Sequence, residues 1–465
     1  MRFKLGFLAI LLSISLFARK TDDAEVFFNA RQFLKAKKVY ENYLKKKPND
    51  ALYNYRYGRC CIELKDFQSA IKHFELSRSK FPESDLYLGD LYFKIYRFDE
   101  SAISYQTYLT GLDSIDSKRT ELLKKLKKSV NAARLLNKTE DIVIADSVVV
   151  NKTNFLNYYK FSKELGTLTY EILTLSHNKK ADKISYMTQR QDRKCFSDSI
   201  QGRMNIYTSY KLLDSWSKPS SISETINTFS NQNYPFFLLD GVTVYFASDN
   251  ENSIGGYDIF VSRLNPSTNT YLTPENIGFP FNSPANDYMK VIDEQCKLGW
   301  FATDRNQPAG KVAIYTFIQT SAKNTVRTDN KDSLIAYAQL KIFRRLQKQK
   351  TDSIMYSQKI GSSQAIQFQF IINDSIVYSN PNQFKNPEAL TLWNELNKLS
   401  NNYNAKQLEL TELRTNYEKS EDTDFKKKLS SKIIDLENQQ IELSKLMSAK
   451  TIEVRTLELK FLNLK

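Results

Sequence analysis

Histidines are the scarcest chemical resource in this 465-residue sequence: only His73 and His177 are present, so a Ser/His/Asp relay has to use one of them. His73 falls inside a stretch with helical period, and His177 lies in a polar turn. The G-x-S-x-G elbow that presents a serine nucleophile is absent, since Gly361-Ser-Ser-Gln-Ala lacks the second glycine. No H-E-x-x-H, P-loop or G-x-G-x-x-G occurs, which closes the common routes to zinc, phosphate and dinucleotide chemistry. Paired carboxylates stay open, because 52 acidic residues always offer pairs. The expectation is a protein that is not an enzyme, with a hydrolase as the second alternative.

Three aspartates, Asp249, Asp258 and Asp304, recur near loops where carboxylates could converge on calcium. A calcium loop concentrates several oxygen ligands within about a dozen residues, whereas an isolated Asp in a turn satisfies backbone amides. The three are calcium candidates only; no metal and no cofactor is expected. Four cysteines, Cys60, Cys61, Cys195 and Cys296, show neither a C-x-x-C nor regular spacing, so they describe neither a zinc site nor a disulfide framework. Buried free thiols are the plainer reading, and Cys195 with Cys296 is the pair an oxidising compartment could join.

The elements that must position these residues begin after an export signal. Arg2 and Lys4 precede an apolar run from Leu5 to Phe17 that ends at Ala18; at about 13 residues it suits a secretory signal and is too short to span a bilayer. Residues 1–18 are therefore expected to be removed. The formal charge of +15 is dispersed over many lysines, which argues against nucleic acid and for anionic lipid, cell-wall polymer or an acidic protein face.

From residue 19 to 138 the pattern is helical and repeats. Phe33-Leu-Lys-Ala36 with Tyr40, Phe67-Gln-Ser-Ala70 with Phe74, and Phe98-Asp-Glu-Ser-Ala102 with Tyr105 recur every 31 to 34 residues. Pro48 and Pro82 close the first two copies. Gly58 and Gly89 fall in the first helix of their pairs, where a missing side chain admits the second helix, with Ala36, Ala70 and Ala102 opposite. The pattern resembles the tetratricopeptide repeat, without its Trp and with one inserted residue before Ala102. That resemblance implies an α-solenoid whose groove binds peptides or proteins.

From 139 to 380 the period changes to two. One strand recurs as Ile184-Ser-Tyr-Met-Thr-Gln189, Val244-Tyr-Phe-Ala-Ser-Asp249 and Gly299-Trp-Phe-Ala-Thr-Asp304. A second recurs as Met204-Asn-Ile-Tyr, Tyr257-Asp-Ile-Phe and Val312-Ala-Ile-Tyr. Tyr245 to Ile259 and Trp300 to Ile314 are both 14 apart. Trp216-Ser-Lys-Pro219 with Ile226-Asn-Thr matches Tyr271-Leu-Thr-Pro274 with Phe281-Asn-Ser. Ala247-Ser-Asp249 and Gly255-Gly256-Tyr-Asp258-Ile-Phe are similar to the WD40-like repeats of TolB-type β-propellers. The resemblance implies a propeller-like domain with its core at 181–318. Strands at 142–150 and a hairpin at 366–378, turning at Asn373-Asp374, are expected to help close it.

From 387 to 465 apolar residues step by four and three, through Leu392, Leu396, Leu399, Tyr403, Lys406, Leu410, Leu413 and Tyr417. A second seam runs from Leu429 through Ile433, Leu436, Gln440, Leu443, Met447 and Lys450 to Leu464. This predicts a coiled-coil hairpin, with a self-associating coiled coil as the other way to bury the stripes; Lys406, Gln440 and Lys450 set register, and the longer second arm leaves an overhang free for a partner.

The order of modules resembles envelope proteins of Bacteroidetes-type bacteria, some belonging to type IX secretion and gliding assemblies, but without their OmpA-like C-terminal domain. The implied role is a periplasmic or outer-membrane-associated scaffold or adaptor. Its expected partners are envelope proteins bound by the helical groove and coiled-coil tail, with self-association, no nucleic acid and at most peripheral membrane contact. A glycan- or ligand-binding propeller sensor is the first alternative.

Overall fold

A computed structural model of the chain describes residues 23–113, 115–174, 180–189, 191–200, 202–212, 215–265, 270–320, 323–345, 370–373, 376–378, 380–420 and 422–462. The expected signal at 1–18, His177, Gly361 and the turn residue Asp374 lie outside them. Two units emerge, one ending at Arg134 and one beginning at Leu135. The architecture is mixed: N-terminal helices, then antiparallel sheets, then two long helices. Among the described residues no helix is long and apolar enough to cross a membrane.

The first unit holds α1 (Asp23–Asn29), α2 (Phe33–Lys46), α3 (Ala51–Glu63), α4 (Phe67–Ser77), α5 (Glu83–Lys94) and α6 (Phe98–Thr110), with most of α7 (Arg119–Leu136). The turns within three successive pairs share one geometry. Arg31, Lys65 and Tyr96 each adopt a positive φ, at 57°, 59° and 68°. The following residue's N–H closes the same bond each time, Gln32 to Phe27 O, Asp66 to Cys61 O and Arg97 to Tyr92 O. This is the Schellman end of a helix, and the left-handed residue lets the chain reverse at once into the next helix.

Close helix approach follows from the glycines. A Cβ on Gly58 would stand 3.0 Å from Phe74 Cζ, and one on Gly89 only 2.4 Å from Tyr105 Cε1. The third copy corrects the sequence reading, because Ala102 is half-buried while Ser101 is fully buried in the position of Ala70. No residue is inserted: Gly58 to Gly89, Ala70 to Ser101 and Phe74 to Tyr105 are all 31 apart. Serine is tolerated there because its hydroxyl donates to Gly89 O at 2.7 Å and meets Ser129 Oγ at 3.0 Å, which removes the cost of burying it.

In the second unit, strands β1 (Val143–Asn151), β2 (Thr167–Thr174), β3 (Lys180–Met187), β4 (Arg193–Ile200), β5 (Arg203–Tyr210) and β6 (Ser220–Ser221) come first. They are followed by β7 (Gln232–Phe237), β8 (Thr243–Ser248), β9 (Asp258–Asn265), β10 (Thr270–Tyr271) and β11 (Glu275–Asn276). Then come β12 (Asp287–Asp293), β13 (Leu298–Thr303), β14 (Lys311–Ile318), the helix α8 (Lys331–Ala338) and β15 (Arg344–Arg345). Three sheets form in the orders β2-β3-β4-β5-β6, β10-β9-β8-β7 and β12-β13-β14-β1-β15. The third is completed by the earliest strand: β1 lies antiparallel to β14, from Val143 opposite Ile318 to Asn151 opposite Lys311. One core of buried side chains from all three sheets joins them, including Ile184, Ile206, Phe236, Phe246, Val291 and Trp300.

The first sheet departs from the repeat in the sequence. Residues 184–189 match 244–249 and 299–304 by residue type, yet β8 and β13 pair directly with β9 and β14, whereas β3 is separated from β5 by β4. The counterpart of β8 and β13 is therefore β4. Period-two alternation marks a strand without saying which place it takes in a sheet.

The strands β16 (Phe370–Asn373) and β17 (Ile376–Tyr378) pair with each other as the expected hairpin does, but they form a sheet of their own and do not help close the others. They pack on the two long helices, α9 (Pro387–Lys419) and α10 (Thr423–Phe461), burying Phe370, Ile372 and Tyr378 against Ala389, Leu396 and Val454. Buried Glu458 accepts bonds from Tyr378 Oη, Lys385 N and Asn386 N. This is why α10's overhang is not free: its last turns are covered by β16, β17 and residues 384–386. The helices run antiparallel, with Lys406 bonded to Gln439, Gln440 to Gln407 and Lys450 to Glu395, so the three seam polar residues find partners across the pair.

Replacing Gly89 with Ala tests the close packing in the first unit. At an exposed helical site the change would stabilise by up to about 1 kcal/mol; against the Tyr105 ring it is expected to cost about 1–3 kcal/mol, read by urea unfolding. A stabilised variant would show that the helices do not meet there.

Candidate functional site

The residues that recur through the sheets converge where one sheet meets the next. Asn231, just before β7, accepts from Met204 N of β5 at 3.1 Å, and its Nδ2 donates to Asp249 at 2.7 Å. Asn286, just before β12, accepts from Tyr257 N at 3.0 Å and donates to Asp304 at 2.8 Å. Each Asp also accepts its Asn's backbone N–H. The same clasp, 55 residues apart, thus ties sheet one to sheet two and sheet two to sheet three. Gly256 belongs to it: a Cβ there would lie 2.1 Å from Asn286 Oδ1. A second asparagine pair also repeats. Asn227 accepts from Ile206 N and donates to Ile206 O, as Asn282 does with Ile259.

At the remaining junction, between sheets three and one, the 3₁₀ segment Lys152–Tyr158 and the chain after it fill the gap. Tyr159 donates to Met289 O and Ser162 N donates to Asp293. Here acids and tyrosines gather: Asp182 accepts from the hydroxyls of Tyr170 and Tyr234 and lies 3.5 Å from Lys152 Nζ. Lys152 stands 4.5 Å above the ring of Tyr288, whose hydroxyl donates to Asp304. Burial first, then the charge of Asp304, pushes the Tyr288 hydroxyl far up, so it remains a donor. These groups satisfy one another.

The three calcium candidates therefore separate. Asp249 and Asp304 occupy equivalent clasps in different sheets. Asp258, fully buried, accepts from Ile254 N, Gly255 N and Asn276 Nδ2; burial and the charge of Asp287 push its carboxyl up to about 7. Among the described residues no three His, Cys, Asp or Glu side chains gather to hold a metal. Trp300 lies in the shared core and Tyr245 beside it. Pro82 immediately precedes α5. His73 Nδ1 is 2.6 Å from Asn54 Oδ1, and burial, with Lys72 and Lys37, lowers its pKa to about 4, keeping it neutral. None of the four cysteines is in a disulfide, so the Cys195–Cys296 bridge is not formed.

Sequence reading missed the buried charges. Arg305 and Asp287, 4% and 0% exposed, pair at 2.7 Å, and Arg305 also donates to Phe281 O, Ala338 O and Thr303 Oγ1. Lys290, 6% exposed, has its ammonium 3.5 Å from the ring centre of Phe281, with Tyr245 and Phe317 beyond. Burial lowers its pKa to about 7, partly opposed by Glu140 and reinforced by Lys323. A lone Lys in an alternating strand carries no mark of this; its cage comes from β8, β14 and the loop before β12. Near Lys323 the surface opens into a cleft of about 770 Å³ lined by residues of 323–328, α8 and β15. The sequence gives no motif for it.

No protein-family model matches this chain, and none of the curated proteins matches it.

Asn286→Ala strips partners from Tyr257 N and Asp304 and is expected to cost about 1–3 kcal/mol. With Asp304→Ala added, the loss should fall short of the sum of the single losses; additivity would mean no clasp. Lys290→Met should stabilise the protein, because folding no longer buries an ammonium. The wild-type pKa is lowered from 10.5 to about 7 on folding, so below pH 7 the charged form destabilises it fully, and the deficit fades as pH rises from 7 toward 10.5. The gap between the unfolding midpoints of Lys290→Met and wild type should be widest below pH 7 and close by pH 10.5.

Proposed function

We propose that this chain is a non-catalytic interaction scaffold of a bacterial cell envelope. In this reading an α-solenoid of tetratricopeptide-like helix pairs precedes a three-bladed, propeller-like domain and a coiled-coil hairpin. The observation that carries it is the use made of the recurring residues. Gly58 with Phe74 and Gly89 with Tyr105 lock helices together, and Asn231 with Asp249 and Asn286 with Asp304 lock sheets together. Repeats whose shared residues serve the framework leave the varied surface residues for partners. The expected signal at residues 1–18 supports export, and the resemblance to Bacteroidetes-type envelope proteins supports an adaptor in an outer-membrane or secretion assembly.

Cross-linking the tagged mature protein in its own envelope fraction, followed by mass spectrometry, tests the reading. Outer-membrane or secretion components recovered in stoichiometric amount, and lost when residues 23–136 are deleted, are the expected result. Recovery of the protein alone under every cross-linking condition would overturn it.

A further inference from the structure

Beyond the scaffold role, we propose that the cleft beside α8 binds an acid-bearing oligosaccharide. Three cations line it, Lys323, Arg327 and Arg344, against one carboxylate, Asp141. Arg344 is held by Asp141 at 3.2 Å. Among the described residues Lys323 and Arg327 have no carboxylate partner, and both are exposed. Two uncompensated cations in one concave site raise the local concentration of anions.

The neutral groups define the rest of the ligand. Thr325, Ser333 and half-buried Tyr337 face the same space, offering hydroxyls to a hydroxyl-rich partner and one aromatic ring to the C–H face of a sugar. A volume of about 770 Å³ lies in the range of small-ligand sites and suits a short oligomer better than a single ion. An acidic peptide fits less well. The wall at 324–326 already bonds to residues 139–141, through Asp141 N to Asn324 O and Val326 N to Thr139 O. A peptide strand therefore cannot add on that side, whereas a saccharide needs only the side chains that line the cleft.

Calorimetry on the full mature chain at low salt tests this with trigalacturonate, neutral maltotriose and hexaglutamate. The expected result is binding of trigalacturonate, at least tenfold weaker binding of the other two, and at least tenfold weakening in Lys323→Gln/Arg327→Gln. Both residues are exposed, so the fold should survive, which circular dichroism checks. Failure of trigalacturonate to bind, or binding untouched by the double substitution, would overturn the site. Equal or tighter binding of hexaglutamate would overturn the saccharide class in favour of an acidic protein segment. Equally charge-dependent binding to phosphatidylglycerol vesicles would reduce the cleft to a general anion surface. The pull-down of the scaffold reading is independent, since it depends on residues 23–136.

Discussion

Backbone polar groups at the junction of two sheets must find partners outside their own ladder, and the second unit answers this with an asparagine. The carboxamides of Asn231 and Asn286 each take an N–H from the preceding sheet and give one to an aspartate of their own. An unmet buried N–H costs about as much as a whole hydrogen bond gains. The clasp therefore fixes the distance at which successive sheets meet, and the glycine at 256 and the shared aromatic core are consistent with that distance.

Among the described residues the third junction has no such clasp. Sheet one pairs Ser197 with Ile206 where the later sheets pair Ala247 with Ile259 and Ala302 with Ile314, so Ser199 stands at the position of Asp249 and Asp304. A segment outside the repeat does the work instead, with Phe155, Tyr159 and Lys152 reaching into sheets one and three. The convergence of tyrosines and acids there looks like a ligand site in outline. Its chemistry is that of a seam, since each hydroxyl and carboxylate already has a partner. Open, uncompensated polarity appears elsewhere, in the cationic cleft.

Buried charge marks a further difference between the sheets. Arg305 and Asp287 neutralise one another with every lone pair and proton they need close by, so removing either would strand the other. Lys290 has the faces of Phe281, Tyr245 and Phe317 around its ammonium. Cation–π attraction offsets part of the desolvation, and the lowered pKa shows that it does not offset all of it.

The sequence by itself determined the periodicities and much that follows from them: where helices give way to strands, why Gly58 and Gly89 must lack side chains, and which tail residues form the seams of α9 and α10. These are local or short-period facts, set by 3.6- and two-residue repeats and by side-chain size. What only the tertiary structure decided is membership and partnership. Ser101 could replace a buried alanine because Gly89 O was within reach of its hydroxyl. Phe370, Ile372 and Tyr378 joined the tail because Glu458 and Val454 met them there. The aspartates read as calcium candidates became turn and clasp acceptors because amides surround each one separately. Hydrogen bonds between residues far apart in the chain leave no period to read, so their partners emerge only when the sheets are brought together.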